Sequence, residues 1–177
     1  MTKLTHVDAR GNARMVDVSG KSSTQREAIA RGTVIMKQET LRLVRDRGIS
    51  KGDVLGIARV AGIMAAKKTS EIIPLCHPLN ISLVSVDFKV DKKQSRINIE
   101  SRVKITERTG VEMEALTAVA AAALAIYDMC KSVDKDMVIT DIFLHEKRGG
   151  RSGLFRRSDE WEGSGRSAVS ARAAKEK

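Results

Sequence analysis

At 177 residues the chain has the length of one domain with short appendages, and 42 % hydrophobic against 31 % charged residues is an ordinary globular balance. Its two cysteines, Cys76 and Cys130, exclude a disulfide scaffold and a four-cysteine zinc module. The longest apolar run, Ala118 to Tyr127, is half a bilayer span, so no membrane crossing is expected. The first residues lack the apolar core of a signal peptide, which makes a reducing, cytoplasmic compartment the expectation. Thirty-two basic against twenty-two acidic residues give +10, of which +4 lies between Arg148 and Lys177, so an anionic partner is expected. Single-stranded nucleic-acid binders add aromatic stacking platforms to such charge. Here there are five aromatics, with Phe155 and Trp161 both in the last thirty residues, which argues against nucleic acid.

Residues 1–20 read as a polar N-terminal arm containing one alternating piece, Met15-Val16-Asp17-Val18. Residues 21–147 hold the folded domain, and 148–177, rich in Gly, Ser, Arg and Ala, read as a flexible basic tail. Within the domain, residues 26–37 are ambiguous, because Ile29, Thr33 and Ile35 alternate while Ala28, Ala30 and Gly32 disfavour a strand. A short helix is predicted over Gln38–Arg47, stopping at Gly48, and a longer one over Asp53–Lys68 with Val54, Ile57, Val60, Ala61 and Met64 at helical spacing.

The strands Leu83–Val90 and Arg96–Thr106 alternate apolar and polar residues and are joined by Asp91-Lys92-Lys93-Gln94-Ser95, which makes a hairpin. A helix follows over Glu112–Lys131, with seven alanines in twenty residues and a capping-box pattern that puts its start near Thr109. A last strand is predicted over Met137–Leu144. With 26–37 taken as a strand, the order is β-α-α-β-β-α-β. That is an α+β, ferredoxin-like antiparallel sheet covered on one face by helices, with an extra helix.

No phosphate-binding glycine motif of the P-loop or dinucleotide type is present. Gly149-Gly150-Arg151-Ser152-Gly153 reads as flexible tail in preference to an anion-binding loop. Cys76 and His77 stand between Pro74 and Pro78 in a stiff loop, where a histidine suits proton transfer near neutral pH. The same residues read equally well as a turn with a buried thiol and a satisfied histidine. Adjacent Cys and His lack a second ligand pair, so no metal site is expected.

In the long helix, Glu112, Met113 and Glu114 occupy the first turn, where carboxylates suit the dipole. Asp128 and Lys131 share a face at the other end, and a carboxylate there is electrostatically disfavoured, which marks Asp128. From Met113 to Asp128 is about 22 Å along the axis. A small-molecule site using both ends therefore needs the head of one copy's helix and the tail of another's. Ala118, Ala121, Ala122 and Ala125 allow close approach between such helices; packing within the subunit is the alternative.

Five segments in order resemble the cyclic pyranopterin monophosphate synthase family: Met15-Val16-Asp17-Val18, Lys51-Gly52-Asp53-Val54, Leu75-Cys76-His77-Pro78-Leu79, Thr109 to Leu116, and Ile126 to Lys131. The resemblance spans roughly residues 4–153 and implies a homohexamer, a trimer of dimers, with interface active sites. It implies a lyase of molybdenum cofactor biosynthesis acting on 3′,8-cyclo-7,8-dihydro-GTP, made by an upstream radical enzyme that would touch this one only transiently. The implied products are the cyclic pyranopterin monophosphate and pyrophosphate. It further implies Asp128, Lys131 and Lys51 as catalytic residues, and Leu75, Cys76, His77, Glu112, Met113, Glu114, Lys147 and Arg26 as substrate-binding residues. No resident cofactor is implied, and no residue is assigned to a magnesium ion accompanying the triphosphate or the pyrophosphate.

The rival reading is a basic nucleic-acid-binding module, whose affinity would fall steeply with salt. Deleting residues 154–177 separates the two. On the sequence alone the lyase keeps its activity, whereas a tail-driven binder loses most of its affinity, as a salt-titrated binding assay would report.

Overall fold

Antiparallel pairing of five strands makes one sheet in the order β2-β3-β1-β4-β5. The computed structural model describes residues 6–8, 10–46 and 48–158. The elements in chain order are β1 (Thr24–Ile35), α1 (Gln38–Arg45), α2 (Val54–Lys67), α3 (Thr69–Ile72), β2 (Leu83–Asp91), β3 (Arg96–Glu107), α4 (Glu112–Cys130), β4 (Val138–Arg148) and β5 (Phe155–Arg156). The four long strands and the helices between them form the expected α+β arrangement.

Period-two alternation sorts the sheet's two faces. Ile97, Ile99, Val103 and Ile105 of β3 are buried, as is Val86 of β2, while Asn98, Glu100, Arg102 and Lys104 lie opposite. The ambiguous segment is a strand because it is central. Ala28, Ala30, Gly32 and Val34 face α4, and that closeness demands small side chains rather than strand-forming ones. At Gly32 a Cβ would lie 2.5 Å from Val119 Cγ1. On the uncovered face Arg31 Nε donates to Glu100 at 2.9 Å, and the Thr33 hydroxyl donates to Asn98 at 3.2 Å.

The helices α2 and α4 also meet at a glycine. A Cβ on Gly62 would stand 2.8 Å from the Ala118 carbonyl oxygen and 3.4 Å from Ala122 Cβ. Ala118 and Ala122 therefore serve packing within the subunit; Ala121 and Ala125 are only partly covered. By length and composition α4 could cross a membrane, but half of that stretch is buried inside the domain.

Three sequence expectations shift. The capping box does not form: α4 begins at Glu112 with Val111 as an uncapped N-cap, because the Glu112 side chain turns to Lys147 instead. The last strand runs on to Arg148, bent by register shifts between Ile29/Ala30 and Arg31/Thr33. The tail does not leave the domain at 148, since Phe155–Arg156 pairs with Glu146 and Lys147. Residues 159–177, with Trp161, lie outside the described residues.

A glycine inside a helix ordinarily costs about 0.5–1 kcal/mol against alanine. At Gly62 the backbone contact reverses that sign, and Gly62→Ala should destabilise the protein by about 1–3 kcal/mol through overpacking. Urea unfolding would show a lower midpoint at unchanged slope; a midpoint at or above wild type would contradict the close contact of α2 with α4.

Candidate functional site

The C-terminal end of α4 gathers three of the expected residues. Gly52, at φ 97, turns the chain so that Asp53 caps α2, its Oδ1 accepting from Gly56 N at 2.9 Å. Lys51 is thereby delivered to the end of α4, where its Nζ donates to the Asp128 carbonyl at 2.8 Å and reaches Asp128 Oδ2 at 3.4 Å. Lys131 Nζ lies 2.6 Å from Asp128 Oδ1. The carboxylate that the helix dipole disfavours is thus neutralised by two ammonium groups, one of which also satisfies a terminal carbonyl. Hydrogen bonds from Lys131 and then Lys51 hold the Asp128 carboxyl below its ordinary range, and Asp128 raises Lys131. In this state both stay ionised at neutral pH, an arrangement suited to binding anions more than to exchanging protons.

The turn after α4 is anchored by a buried carboxylate. Asp134 accepts from Lys37 N at 2.8 Å, from the Thr40 hydroxyl at 3.0 Å and from Asp136 N at 3.2 Å. These bonds fasten the start of α1 to the segment that carries Lys131.

The N-terminal end of α4 gathers the rest. Lys147 faces the helix side of β4, with its Nζ 3.1 Å from Glu112 Oε1 and 2.8 Å from the Ser152 hydroxyl. Arg26 donates from Nε to the Glu107 carbonyl at 2.9 Å and from Nη2 to the Arg108 carbonyl at 3.1 Å. A small cleft runs between Arg26, Gly110, Glu112, Lys147 and Gly149. His77 Nε2 lies 2.9 Å from the Val16 carbonyl; since a carbonyl only accepts, this nitrogen is the donor. That bond explains why the Met15–Val18 piece belongs with the histidine loop.

Glu114 is buried at 4 % exposure, and burial, aided by the neighbouring Glu112 charge, pushes its carboxyl up to about 7. Cys76 is raised by burial and then by the charge of Glu114, so it stands as a thiol beside that carboxyl. Met113 is exposed at 37 % and Leu75 half-buried, which leaves apolar surface next to these polar groups. Cys130 is pushed up to about 11 by burial and serves the core.

The eleven expected residues therefore fall into two sets at opposite ends of one helix, about 22 Å apart. Lys51, Asp128 and Lys131 form one; Arg26, Leu75, Cys76, His77, Glu112, Met113, Glu114 and Lys147 form the other. A concavity of about 940 Å³ lies elsewhere, on the open sheet face between Arg31, Thr33, Lys89, Asn98, Asp141 and Phe143, and contains none of them. That concavity is the open face of a curved sheet, where Arg31 is paired with Glu100, Thr33 with Asn98 and Arg96 with Asp91. Among the described residues no three His, Cys, Asp or Glu side chains converge as a metal set. Ser152, which accepts from Lys147, lies in the Gly-Gly-Arg-Ser-Gly run that the sequence presents as tail.

A model of the MoaC family matches residues 15–150. Among curated relatives, the cyclic pyranopterin monophosphate synthase of Heliobacterium modesticaldum is 61 % identical over 159 residues, covering 90 % of this chain and 100 % of the relative. That of Pelotomaculum thermopropionicum is 60 % identical over 160 residues, with 90 % and 94 % covered. That of Chloroflexus aurantiacus is 61 % identical over 155 residues, with 88 % and 95 % covered.

Glu114 makes stability depend on pH with a definite sign. Its folded value, about 7, stands above the ordinary 4.5, so the folded state holds this proton more tightly. The contribution is full below about pH 4.5 and is lost as pH rises through about 7. Glu114→Gln should therefore gain on the wild type by a few kcal/mol between about pH 5 and pH 8, read by denaturant unfolding at both. Parallel curves would show that the carboxyl is not held in this way.

Proposed function

The chain belongs to the MoaC family, and we propose that it carries out the reaction for which its relatives are named. It is a lyase that converts 3′,8-cyclo-7,8-dihydro-GTP to cyclic pyranopterin monophosphate, with release of pyrophosphate, in molybdenum cofactor biosynthesis. The observation that carries this reading is identity near 60 % over about nine-tenths of the chain, with every matching motif placed at one end or the other of α4.

The residues at the two ends suit the two halves of the chemistry. Opening the purine ring and closing a pterin requires proton transfers near neutral pH. Glu114, buried and near 7, is matched to that task, with His77 beside the same loop. Leu75, Cys76 and Met113 offer the apolar surface against which a flat ring packs. Closing the cyclic phosphate puts an oxygen on the α-phosphorus and expels pyrophosphate, whose charge must be neutralised as it develops. Lys51, Lys131, Lys147 and Arg26 supply that charge. When phosphate oxygens take over Lys131 and Lys51, Asp128 is released from its ion pairs and becomes a usable base. These steps move protons and phosphoryl groups rather than electrons, so the reading needs no redox cofactor and assigns no resident metal.

Since a nucleotide of this size cannot reach both ends of one α4, the working site combines the head of one subunit with the tail of another. The homohexamer, a trimer of dimers, provides this. In support, α2 exposes Ile57, Val60 and Met64 along one face and α4 exposes Leu124 at 62 %, an apolar surface that a second copy would cover. A nucleotide substrate and two free thiols fit the cytoplasm as its compartment. Nucleic acid is not the partner on this reading.

Incubation with the cyclised substrate should release pyrophosphate and yield a pterin that fluoresces after oxidation; no product from verified substrate would reject the assignment. The shared site has its own test. Lys147→Ala and Asp128→Asn should each be inactive alone. Co-refolded one to one, they should regain about a quarter of wild-type turnover, because half the dimers are mixed and each mixed dimer holds one intact site. No recovery would place both sets in one chain's site.

A further inference from the structure

The chain leaves β4 at Arg148, turns through Gly149, Gly150 and Gly153 at φ 89, 72 and 64, and returns as β5. This hairpin lies at the edge of the family match, which ends at residue 150. Its legs are pinned on the uncovered face of the sheet. Glu146 is buried at 4 % exposure and receives Arg148 from one leg and Arg156 from the other, the latter through Nε to Oε2 at 2.6 Å. Arg157 adds a backbone bond to the His145 carbonyl at 2.9 Å and stacks its guanidinium 5.1 Å from the Phe143 ring centre.

The loop itself is pressed onto the head cluster. A Cβ at Gly149 would lie 2.2 Å from the Gln25 carbonyl oxygen, and one at Gly150 would lie 2.2 Å from Arg26 Nη1. At Gly149 the backbone leaves no room for a side chain, and the turn brings Ser152 to Lys147 at 2.8 Å. An ammonium has three donors, and Lys147 spends two on the Ser152 hydroxyl and the Glu112 carboxylate. That is the coordination an anionic oxygen would receive, with Glu112 holding its place. Ordering so many glycines costs backbone entropy, which two arginines on one buried carboxylate help to offset.

We propose that the β4–β5 hairpin loop, residues 149–153, grips the polyphosphate end of the substrate, with Ser152 as a binding residue and the Glu146–Arg148–Arg156 cluster as the clasp that holds the loop over Lys147. Lys147 and Ser152 bind phosphate oxygens, Arg26 and Arg151 add positive charge, and Glu112 swings off Lys147 as the phosphate arrives. The inference rests on the triphosphate substrate read above, but it predicts binding of the bare polyphosphate as well. It also changes the expected outcome of deletion. A chain ending at Gly153 loses β5 and Arg156 and so the clasp, whereas a chain ending at Ser158 keeps both.

The test uses inorganic tripolyphosphate, titrated calorimetrically into the assembled full-length protein, alongside steady-state kinetics. Ser152 is exposed, so Ser152→Ala leaves the fold intact. It should weaken tripolyphosphate binding about tenfold, the loss of one hydrogen bond to a charged group, and raise KM similarly with kcat little changed. Arg156→Gln should weaken binding in the same direction, and the chain ending at Ser158 should match wild type in both measurements. Wild type without affinity for tripolyphosphate, or Ser152→Ala with unaltered Kd and KM, overturns the proposal. Wild type that binds tripolyphosphate through Ser152 yet forms no pterin would instead overturn the assigned reaction and leave the loop's role standing.

Discussion

The closeness of α4 to its neighbours governs the rest of the molecule. Gly32 on β1 and Gly62 on α2 remove side chains where Val119 and the Ala118 carbonyl arrive, so the helix is held from two sides over its middle. Its ends are then fixed in space without being covered. One receives the loop from α3 and the last long strand; the other receives Lys51 and the turn built on Asp134. A looser helix, seated on ordinary side chains, would leave both groups of charges wandering by more than an enzyme site tolerates.

Both ends are internally balanced. Asp128 is matched by Lys51 and Lys131, and Lys147 by Glu112. Each pair is partly exposed, so it adds little to stability and can be exchanged at little cost. On the proposed reaction, a polyanionic substrate would compete for these cations and set the carboxylates free.

How far this could be read in the sequence depends on the range of the interaction. The β2–β3 hairpin, α2 and most of α4 were legible, since alternation, helical spacing and the Asp53 cap are local patterns. β1 was locally ambiguous, a strand only by the order it completes, because its small residues answer to α4 rather than to strand preference. The capping box failed for a related reason: Glu112 had a stronger partner in Lys147, thirty-five residues away. Helix length alone separated Glu112, Met113 and Glu114 from Asp128 and Lys131, but the end that Lys51, Arg26, Cys76 and Lys147 join was hidden, because those contacts are long-range. The folding back of the chain at Phe155–Arg156 was hidden, because a short, glycine-rich, basic stretch looks like tail unless the buried Glu146 it serves is known.

The irregularity of β4 has a further effect. Among the described residues, β5 pairs with the outer rim of β4 only at Glu146 and Lys147, and the rest of that edge has no strand beside it. Such an edge is a template for pairing with another molecule. Here two register shifts and Asp141 at φ 54 crook the strand, so that its outward amides and carbonyls fall out of step with any straight partner. The bends that aim Lys147 at α4 also guard the sheet against growing, edge to edge, into aggregates.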